Sequence, residues 1–329
     1  MTRSIIENTT EKDDTAASIP ACVIGAGHLG QHHIRLLSPI EGVSLQGVVD
    51  VDADRARNFA QKYGAESFSD FEMLPAGTRA AVVATPTPTH FAITRALLEK
   101  GIHCFVEKPL TETIEEAETL IRLAQERQLV LQVGHVERFN PAVMEMSRQA
   151  NDPMFVEASR LGPYDPRVSH IGVVLDLMIH DIDIVLALVR DTVVRLDAVG
   201  GKLLSDHPDI VKATLYFSRG CRADLTASRV SIKRYRKIRV FQRDAYMSLD
   251  YSEKSLKIYR KRKPIVTSLT DLYVQRPRLD KKKEQLDLEL RHFVGCIQEG
   301  KPPLVGGQHG RDALEIAIEI QNAMKLHNV

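Results

Sequence analysis

The sequence predicts an α/β protein in two parts: a doubly wound parallel sheet, then an α/β domain with an open, mostly antiparallel sheet. Up to residue 137, short β-branched runs alternate strictly with longer segments of helical period, which implies right-handed crossovers between parallel strands. After Pro141 the pattern changes to consecutive alternating strands, typical of an antiparallel sheet with one wet face. The length of 329 residues suits two domains of about 150 residues each.

In the first part, apolar runs of strand length are separated by segments with apolar residues at three- and four-residue spacing. The predicted strands are Ala21–Gly25, Ser44–Asp50, Ala80–Ala84, His103–Val106 and Val130–Gly134. The predicted helices are Leu29–Leu37, Ala53–Tyr63, Thr89–Lys100 and Ile114–Gln125. We predict a flexible tail over 1–20 and a first domain over 21–137.

The second predicted domain spans 138–329. Its apolar segment Val173–Val189 is expected to be helical, and the stretch Pro264–Lys283, polar and proline-bearing, is expected to be a loop. Helices are predicted over Glu284–Gln298 and His309–Leu326. The alternating strands are Lys212–Phe217, Ala223–Arg229, Lys237–Phe241, Met247–Tyr251 and Ser255–Tyr259.

Composition argues against several classes of protein. Lys plus Arg total 44 and Asp plus Glu total 43, so the overall charge points to neither a nucleic-acid nor a membrane partner. No apolar stretch approaches the roughly 18 residues that span a bilayer, and the first residues lack the pattern of a secretory signal. Four widely separated cysteines indicate neither a zinc pair nor a disulfide framework. We expect a cytoplasmic enzyme.

One segment departs from this charge balance. Residues 219–263 hold fifteen Lys or Arg against four Asp or Glu, most densely over Arg229–Lys237. A nucleic-acid surface is one interpretation, but no reading motif accompanies the charges and aromatic residues are sparse, so no such partner is expected. Charges on the wet face of a sheet, an acidic partner subunit, or steering of an anionic substrate explain the segment better.

The strongest local motif is a complete G-x-G-x-x-G that joins the first predicted strand to the first helix. Gly25 permits the tight turn, Gly27 lets the backbone approach a pyrophosphate, and Gly30 allows close packing of helix on strand. The helix N-terminus, at His28 and Leu29, offers N–H groups and a partial positive charge to the phosphates. The motif therefore predicts dinucleotide binding.

An acidic residue supports this prediction and bears on the choice of cofactor. The second predicted strand ends at Asp50, twenty residues after Gly30, where a Rossmann domain carries the acid that binds the ribose. Asp50 would repel a 2′-phosphate, so we predict NAD in preference to NADP. Arg55 lies nearby in sequence and leaves NADP as the alternative.

The loop Thr85-Pro86-Thr87-Pro88-Thr89-His90 follows the third predicted strand at its carboxyl end, where ligands sit in open α/β sheets. A stiff strand-to-helix turn explains most of its composition. We further predict that Thr85, Pro86 and His90 contact the cofactor.

The next strand ends in Glu107-Lys108-Pro109, which places two charges at the rim of the crevice. Oxidation of an alcohol requires loss of the hydroxyl proton as the hydride leaves, so a positioned proton carrier is needed. We predict that Lys108 is this carrier and that both Glu107 and Lys108 contact the cofactor. An ordinary surface ion pair is the alternative.

A second polar group lies within the predicted apolar helix. Asp176 and His180 are four residues apart and Asp183 is three further on, so all three share one helical face. Carboxylates on a buried helix are costly without a purpose, which favours an enclosed cleft and a catalytic role. A metal is an alternative for this grouping, but we predict none, because NAD-dependent oxidation with lysine and histidine present needs no metal.

Together these motifs resemble the glucose–fructose oxidoreductase/inositol dehydrogenase (Gfo/Idh/MocA) family, from Ala21 over nearly the whole chain. The resemblance implies that Lys108, His180 and Asp176 form the catalytic group, and that the second sheet joins subunits in a homodimer or homotetramer. The sequence departs from the family's glycine-rich lead-in, GG-x-x-x-D-x-G-x-H. Only Gly172 remains before the aspartate, and Met178 replaces the later glycine, which is expected to narrow the pocket.

Three segments resemble a branch of this family that oxidises the 3-hydroxyl of UDP-N-acetylglucosamine. They are Gly134–Pro141, Arg160–Pro163 with Arg167, and Gly172–Asp176. The resemblance implies a nucleotide-sugar substrate, a 3-keto product, and an aminotransferase that uses it to make a diamino sugar for lipid A. The alternatives are another UDP-sugar, an inositol or a hexose as substrate, or a non-catalytic NAD-bound sensor.

Besides Asp176 and His180, the same segments supply the candidate substrate-binding residues. Arginines are suited to a diphosphate because the guanidinium group donates two parallel hydrogen bonds. For Arg138 and Asn140 the alternative is a role in stabilising the domain junction. The candidates are Arg138, Asn140, Arg160 and Arg167.

Overall fold

The computed structural model describes residues 18–166, 171–262, 268 and 271–328. It contains a six-stranded sheet followed in sequence by a nine-stranded sheet, with helices packed on both. The predicted fold class is therefore confirmed.

The first sheet is built from alternating strands and helices. Its strands are β1 (Ile19–Ile24), β2 (Val43–Val49), β3 (Glu66–Phe68), β4 (Ala80–Val83), β5 (His103–Glu107) and β6 (Leu131–Gly134). Its helices are α1 (Gly30–Leu37), α2 (Ala53–Tyr63), α3 (His90–Glu99) and α4 (Ile114–Glu126).

Every strand pair in this sheet is parallel, and the strand order is β3-β2-β1-β4-β5-β6. This is the order of a doubly wound dinucleotide-binding sheet. Separate apolar clusters cover its two faces, which explains why its strands are apolar throughout. The chain turns in opposite directions from β1 and β4, so a crevice opens at their carboxyl ends.

Two features of the first part differ from the predictions. The strand β1 begins at Ile19, which is 3% exposed, so the predicted tail is too long by two residues at its C-terminal end. The remainder of that prediction, residues 1–17, lies outside the described residues. The short edge strand β3 was missed because its three residues, Glu66–Phe68, carry no buried side chain that would produce an alternating pattern.

The second sheet combines nine strands with the remaining helices. Its strands are β7 (Phe155–Leu161), β8 (Val193–Lys202), β9 (Ile210–Phe217), β10 (Arg222–Ser228), β11 (Tyr235–Phe241), β12 (Ala245–Asp250), β13 (Ser255–Lys261), β14 (Leu272–Gln275) and β15 (Lys325–Asn328). The helices are α5 (Pro141–Gln149), α6 (Ile179–Val189), α7 (Gln285–Glu299) and α8 (Gly307–Ala323).

The strand order is β14-β13-β12-β11-β7-β10-β9-β8-β15, and only the β7–β10 and β15–β8 pairs are parallel. One apolar cluster lies between this sheet and helices α5, α6 and α8. The other face of the sheet carries alternating polar and aromatic side chains. The predicted antiparallel character is therefore correct, with two parallel exceptions.

Several predicted boundaries in the second part are wrong. Residues 264–283 were expected to form a loop, but they contain β14, which extends the sheet edge through pairing with β13. The last helix ends at Ala323 rather than Leu326, because the chain then becomes extended and pairs with β8. Helix α5 and strands β7 and β8 were not predicted.

The predicted helix 173–189 is interrupted at its start. A π-helical turn occupies Val174–Met178, and α6 follows it directly. Such single turns insert one extra residue into the helical repeat and change the direction of the side chains that precede them.

Helix α7 connects the two parts of the chain. Although it lies in the predicted second domain, its residues Leu290, Phe293 and Ile297 belong to the apolar cluster on one face of the first sheet. The Phe293 ring also packs edge-to-face against Phe105 of β5, with centroids 5.9 Å apart. The domain boundary at residue 137 stays a prediction. Residues of α7, which follow that boundary in sequence, pack into the apolar core of the first sheet.

Two further observations bear on the class of protein. Within the described residues, no helix is long and apolar enough to cross a bilayer. The four cysteines are free and buried.

Candidate active site

A cleft of about 1450 Å³ lies between the two sheets. The carboxyl ends of β1, β2 and β4 line one end of it, and residues that follow β7 and β10 line the other. Pockets for a single drug-sized ligand are roughly 300–1,000 Å³, so this cleft has room for a dinucleotide and a second ligand.

The glycine-rich turn has the conformation that a dinucleotide requires. Gly25 has a φ of +90°, and a Cβ there would lie 2.6 Å from the carbonyl oxygen of Ala84. At Gly30 a Cβ would meet the Gly25 carbonyl oxygen at 1.8 Å, so helix and turn could not pack as they do. Gly27 instead faces open space in the cleft, and α1 begins without a side-chain cap. The turn therefore presents free backbone where a pyrophosphate would sit.

Asp50 lies at the other side of this turn, immediately after β2. Its carboxylate accepts hydrogen bonds from the Ala26 and Asp52 backbone N–H groups, at 2.8 and 2.9 Å, and it lines the cleft. These bonds aim the carboxylate at the position of the adenosine ribose. Arg55 lies 3.4 Å from Asp50 and also pairs with Asp52, so its charge is already balanced by acids. The residues present at this end of the cleft fit NAD.

The proline-rich loop divides into lining and supporting residues. Thr85 and Pro86 line the cleft, whereas His90 is 1% exposed and does not. The His90 ring nitrogens lie 2.9 Å from the Pro109 carbonyl oxygen and 2.8 Å from that of Thr85. His90 therefore holds the loop against the end of β5, and the predicted contact between His90 and the cofactor finds no support.

The predicted catalytic residues meet in the middle of the cleft. Lys108 Nζ donates a hydrogen bond to the backbone carbonyl oxygen of Asp176 at 2.8 Å and lies 3.6 Å from its carboxylate Oδ1. Both side chains and His180 line the cleft. Lys108 follows β5 of the first sheet, whereas Asp176 lies in the π-helical turn and His180 in the first turn of α6. Residues 68 positions apart are therefore brought into direct contact.

Burial keeps the His180 imidazole neutral. Loss of solvent, reinforced by the positive charge of Lys108, holds the pKa of His180 well below its ordinary value. Its Nδ1 is enclosed without a hydrogen-bond partner among the described residues. His180 is therefore in the form that accepts a proton at neutral pH.

A second imidazole, missed at the sequence level, packs against the first. His135 follows β6, and its ring meets that of His180 edge-on with centroids 6.3 Å apart. Burial lowers the pKa of His135 to about 3, so this ring is also neutral. The sequence signal was present in the Gly134–Pro141 segment, but only its polar C-terminal residues were assigned roles.

Glu107 is buried behind the wall of the cleft, next to Lys108 in sequence. It is 8% exposed, does not line the cleft, and lies 2.7 Å from His33 Nε2 of α1. Burial raises the pKa of Glu107, but the hydrogen bond to His33 and the charges of His33 and Lys108 outweigh it, so the pKa falls below its ordinary value. A carboxylate is therefore fixed beside Lys108, with no opening toward the predicted cofactor.

Two of the predicted substrate-binding residues do not line the cleft. Arg138 pairs with the buried Asp183 at 3.1 Å. Asn140 is fully buried, caps α5 through the Ala142 N–H group, and donates to the carbonyl oxygen of Tyr251. Both fit the alternative role of stabilising the junction. Asp183 was expected in the cleft with His180, but the start of α6 turns it inward to Arg138.

Arg160 lines the cleft, but each of its three nitrogens already binds an acid. Its Nε and Nη2 bind both oxygens of Asp181 at 2.9 Å, and its Nη1 binds Glu137 at 2.9 Å. At 2% exposed, it is part of a buried ion-pair network rather than an open anion site. The other predicted arginine, Arg167, lies outside the described residues.

Other basic residues reach the substrate end of the cleft instead. Arg229, Arg234 and Arg236, from the densest part of the basic segment, line it. This segment was predicted to steer an anionic substrate, but none of its residues was predicted to bind the substrate. Side chains alternate between the two faces of a strand. Which basic side chains point into the cleft therefore depends on the register of β11, and that register was not predicted.

Two other expectations concern the pocket wall and metals. Met178 was expected to narrow the cleft, but it is 1% exposed and belongs to the apolar core, so it does not do so. Among the described residues, no group of three or more His, Cys, Asp or Glu is arranged to hold a metal ion.

Known proteins match this chain along both sheets. A family model described as "Oxidoreductase family, NAD-binding Rossmann fold" matches residues 19–135, and one described as "GFO/IDH/MocA C-terminal domain" matches residues 145–248. The UDP-N-acetylglucosamine 3-dehydrogenase of Acidithiobacillus ferrooxidans is 37% identical over 92% of this chain and 96% of its own length. The scyllo-inositol 2-dehydrogenase (NAD(+)) of Bacillus subtilis is 28% identical over 93% of this chain and 94% of its own length.

Solved structures agree with these matches. A structure of the Acidithiobacillus ferrooxidans enzyme superposes with a TM-score of 0.87 over 94% of this chain and 98% of that one, at 36% identity. A levoglucosan dehydrogenase in complex with NADH shares the fold, with a TM-score of 0.84 over 93% of this chain and 97% of that one, at 18% identity. This chain is an oxidoreductase with an NAD-binding domain, and it belongs to the Gfo/Idh/MocA family.

Proposed function

We propose that this protein oxidises the 3-hydroxyl of UDP-N-acetylglucosamine to a ketone, with NAD as the acceptor. The observation that carries the proposal is the meeting of Lys108, Asp176 and His180 between an NAD turn and a basic end of the same cleft. The identity of 37% to a UDP-N-acetylglucosamine 3-dehydrogenase supports the choice of substrate.

The roles of the three residues follow from their contacts and charges. When bound, NAD supplies a nicotinamide ring that accepts a hydride from the sugar carbon. The neutral His180 accepts the proton of the sugar hydroxyl, and the ammonium group of Lys108 stabilises the negative charge that develops on the oxygen. Asp176 fixes Lys108 through its carbonyl oxygen, while its carboxylate balances the lysine charge.

The test is reduction of NAD by the purified protein with UDP-N-acetylglucosamine, coupled to a glutamate-dependent aminotransferase that removes the ketone. The coupling is needed because oxidation of an alcohol by NAD is unfavourable at neutral pH. Reduction that is lost in Lys108→Ala, and kept in the exposed-surface control Lys100→Ala, supports the proposal. Turnover of scyllo-inositol or glucose but not the UDP-sugar would contradict it. Failure of every sugar, with NAD bound, would favour the sensor interpretation.

We propose further that an aminotransferase consumes the product, because a 3-keto sugar is the substrate from which a 2,3-diamino sugar of lipid A type is made. Both NAD and nucleotide sugars belong to the cytoplasm, which is the proposed location. A mixture of the two enzymes should give a glutamate-dependent amino sugar, whereas accumulation of the free ketone in that mixture would contradict the coupling.

The outer face of the second sheet supports a homodimer or homotetramer. Phe155, Phe241, Tyr246 and Tyr259 form a cross-strand aromatic ladder with successive centroids 5.7, 4.8 and 5.2 Å apart. No helix of the described chain covers this face, and such a patch marks a protein interface. The variant Tyr246→Lys should sediment at lower mass than the parent, whereas an unchanged mass would exclude this face.

A further inference from the structure

Arg236 differs from Arg55, Arg160 and Arg229 at the cleft because no acid of the described chain pairs with it. It lies in β11, is half-buried and lines the cleft. Its Nε is enclosed by protein without a hydrogen-bond acceptor. No acid of the described residues lies within ion-pair distance of its guanidinium group. A cation in this setting has lost part of its hydration without a compensating contact.

The neighbouring acids are already committed to another arginine. Asp181 and Glu137 together bind all three nitrogens of Arg160. Arg236 therefore faces the like charges of Arg160 and Arg234 with its own donors unused. Burial and these like charges lower the pKa of Arg236, because both disfavour the charged form of its guanidinium group.

Comparison with other interior arginines shows that this is unusual for the molecule. Arg138 is paired with Asp183 at 3.1 Å, and Arg229 is paired with Asp209 at 2.6 Å. Each of these cations has a counter-charge within the protein, as buried charges require. Arg236 is directed into the cleft instead, where a ligand would complete the balance.

We propose that Arg236, with Arg234, forms the subsite for the diphosphate of the nucleotide-sugar. Arg236 is the second residue of β11, Arg234 immediately precedes that strand, and both line the cleft. Two forked guanidinium groups match two linked phosphates. This inference rests on the proposed function, and Arg236 and Arg234 take the role that was predicted for Arg138 and Arg160.

The position of the subsite agrees with this assignment. Asp50 and the glycine turn occupy the end of the cleft formed by the first sheet, whereas Arg236 belongs to the second sheet and Arg234 immediately precedes its strand β11. The Lys108–His180 pair lies between them. A sugar that reaches this pair would therefore place its diphosphate at the second sheet, away from the pyrophosphate of NAD.

The experiment measures the dissociation constant of UDP for the NADH-bound enzyme by calorimetry. Loss of a charged hydrogen-bond donor should weaken UDP about 10- to 100-fold in Arg236→Gln, and more in the double variant with Arg234→Gln. The matched control is Arg243→Gln, which makes the same change at an exposed residue two positions after the end of β11. An unchanged affinity for NADH in each variant confirms that the protein is folded.

Two further ligands separate the phosphate from other parts of the substrate. Uridine, which lacks phosphate, should bind the parent and Arg236→Gln equally. A UDP-linked uronic acid tests a carboxylate as the partner. If UDP binds both proteins equally and only the uronic acid loses affinity in Arg236→Gln, Arg236 binds a carboxylate and the proposal is overturned.

Failure of this inference is distinguishable from failure of the proposed function. If the parent oxidises UDP-N-acetylglucosamine but Arg236→Gln binds UDP as tightly as the parent, the function stands and the subsite is wrong. If the parent binds UDP through Arg236 but oxidises no UDP-sugar, the subsite stands and the function is wrong. A parent that binds no UDP overturns the subsite.

Discussion

Replacement of Lys108 by methionine tests the proposed chemistry most directly. Methionine keeps most of the length and apolar surface of lysine but removes the ammonium group. That group makes a 2.8 Å hydrogen bond to the Asp176 carbonyl oxygen and lies 3.6 Å from the Asp176 carboxylate. Since the side chain is only 16% exposed, water replaces these contacts incompletely.

The expected loss of activity is much larger than the expected loss of stability. A positioned group that transfers or stabilises a proton contributes about 100- to 10,000-fold to rate, which equals about 3–5 kcal/mol of barrier. The lost hydrogen bond to Asp176 lowers the free energy of unfolding by only about 1 kcal/mol. NAD affinity should change little, because the pyrophosphate turn and Asp50 lie at another part of the cleft.

The assay compares the initial rate of NAD reduction, the NAD dissociation constant and the urea midpoint for parent and Lys108→Met. The control, Lys100→Met, makes the same change at an exposed residue after α3. Turnover of Lys108→Met within about tenfold of the parent would refute the role of Lys108 in the reaction. Loss of NAD binding together with turnover would instead place Lys108 in the cofactor site.

Three other changes have expected outcomes. Asp50→Ala should weaken NAD about 10- to 100-fold in a binding titration and reduce its advantage over NADP; an unaltered ratio would reject the ribose contact. Arg160→Met should lower the free energy of unfolding by about 3–5 kcal/mol, because Asp181 and Glu137 lose their buried partner; a urea midpoint near that of the parent would contradict this. Burial raises the pKa of Glu289 well above its ordinary value, so the folded chain keeps a proton that the unfolded chain releases. Parent stability should therefore fall relative to Glu289→Gln as pH rises above about 4.5, and parallel urea-midpoint profiles would exclude this.

The sequence predicted the elements of the first sheet well because each is specified locally. Helix α2 has the bounds predicted, since Asp52 caps its first turn and Gly64 ends it in the left-handed conformation. The glycines were interpretable for the same reason: Gly25 and Gly30 are fixed by contacts within a few residues or with the adjacent strand. The spacing of residues was therefore sufficient to predict an element where nearby residues determine its conformation.

The second sheet was harder to predict because its elements pair and pack with segments that are distant in sequence. Strand β7 is the parallel partner of β10 and lies at the centre of the sheet, but its short alternating sequence alone does not identify its neighbours. Helix α7 was predicted from its own periodicity, yet its apolar face packs on the first sheet. The spacing of residues within β7 or within α7 does not specify the element against which it pairs or packs.

The same distinction explains which of the predicted site residues the structure brings together in the cleft. Lys108 was recognisable because a charge ends an apolar strand, and Asp176 because an acid lies in an apolar helix. Arg138 was predicted at the substrate because an arginine near a cleft has the same local sequence whether it faces a ligand or, as here, the buried Asp183. Arg236 was overlooked because only the tertiary structure reveals that it lacks a counter-charge.

The location of Asp176 explains why the proposed catalysis requires the two parts of the chain to pack correctly. Lys108 is bound by the backbone carbonyl of Asp176, not mainly by its carboxylate, so the orientation of the π-helical turn fixes the lysine. Asp176 lies in the π-helical turn that directly precedes α6, so a shift of this turn would move the acceptor of the lysine ammonium group. The proposed catalytic geometry therefore depends on the backbone of this turn as well as on the side chain of Asp176.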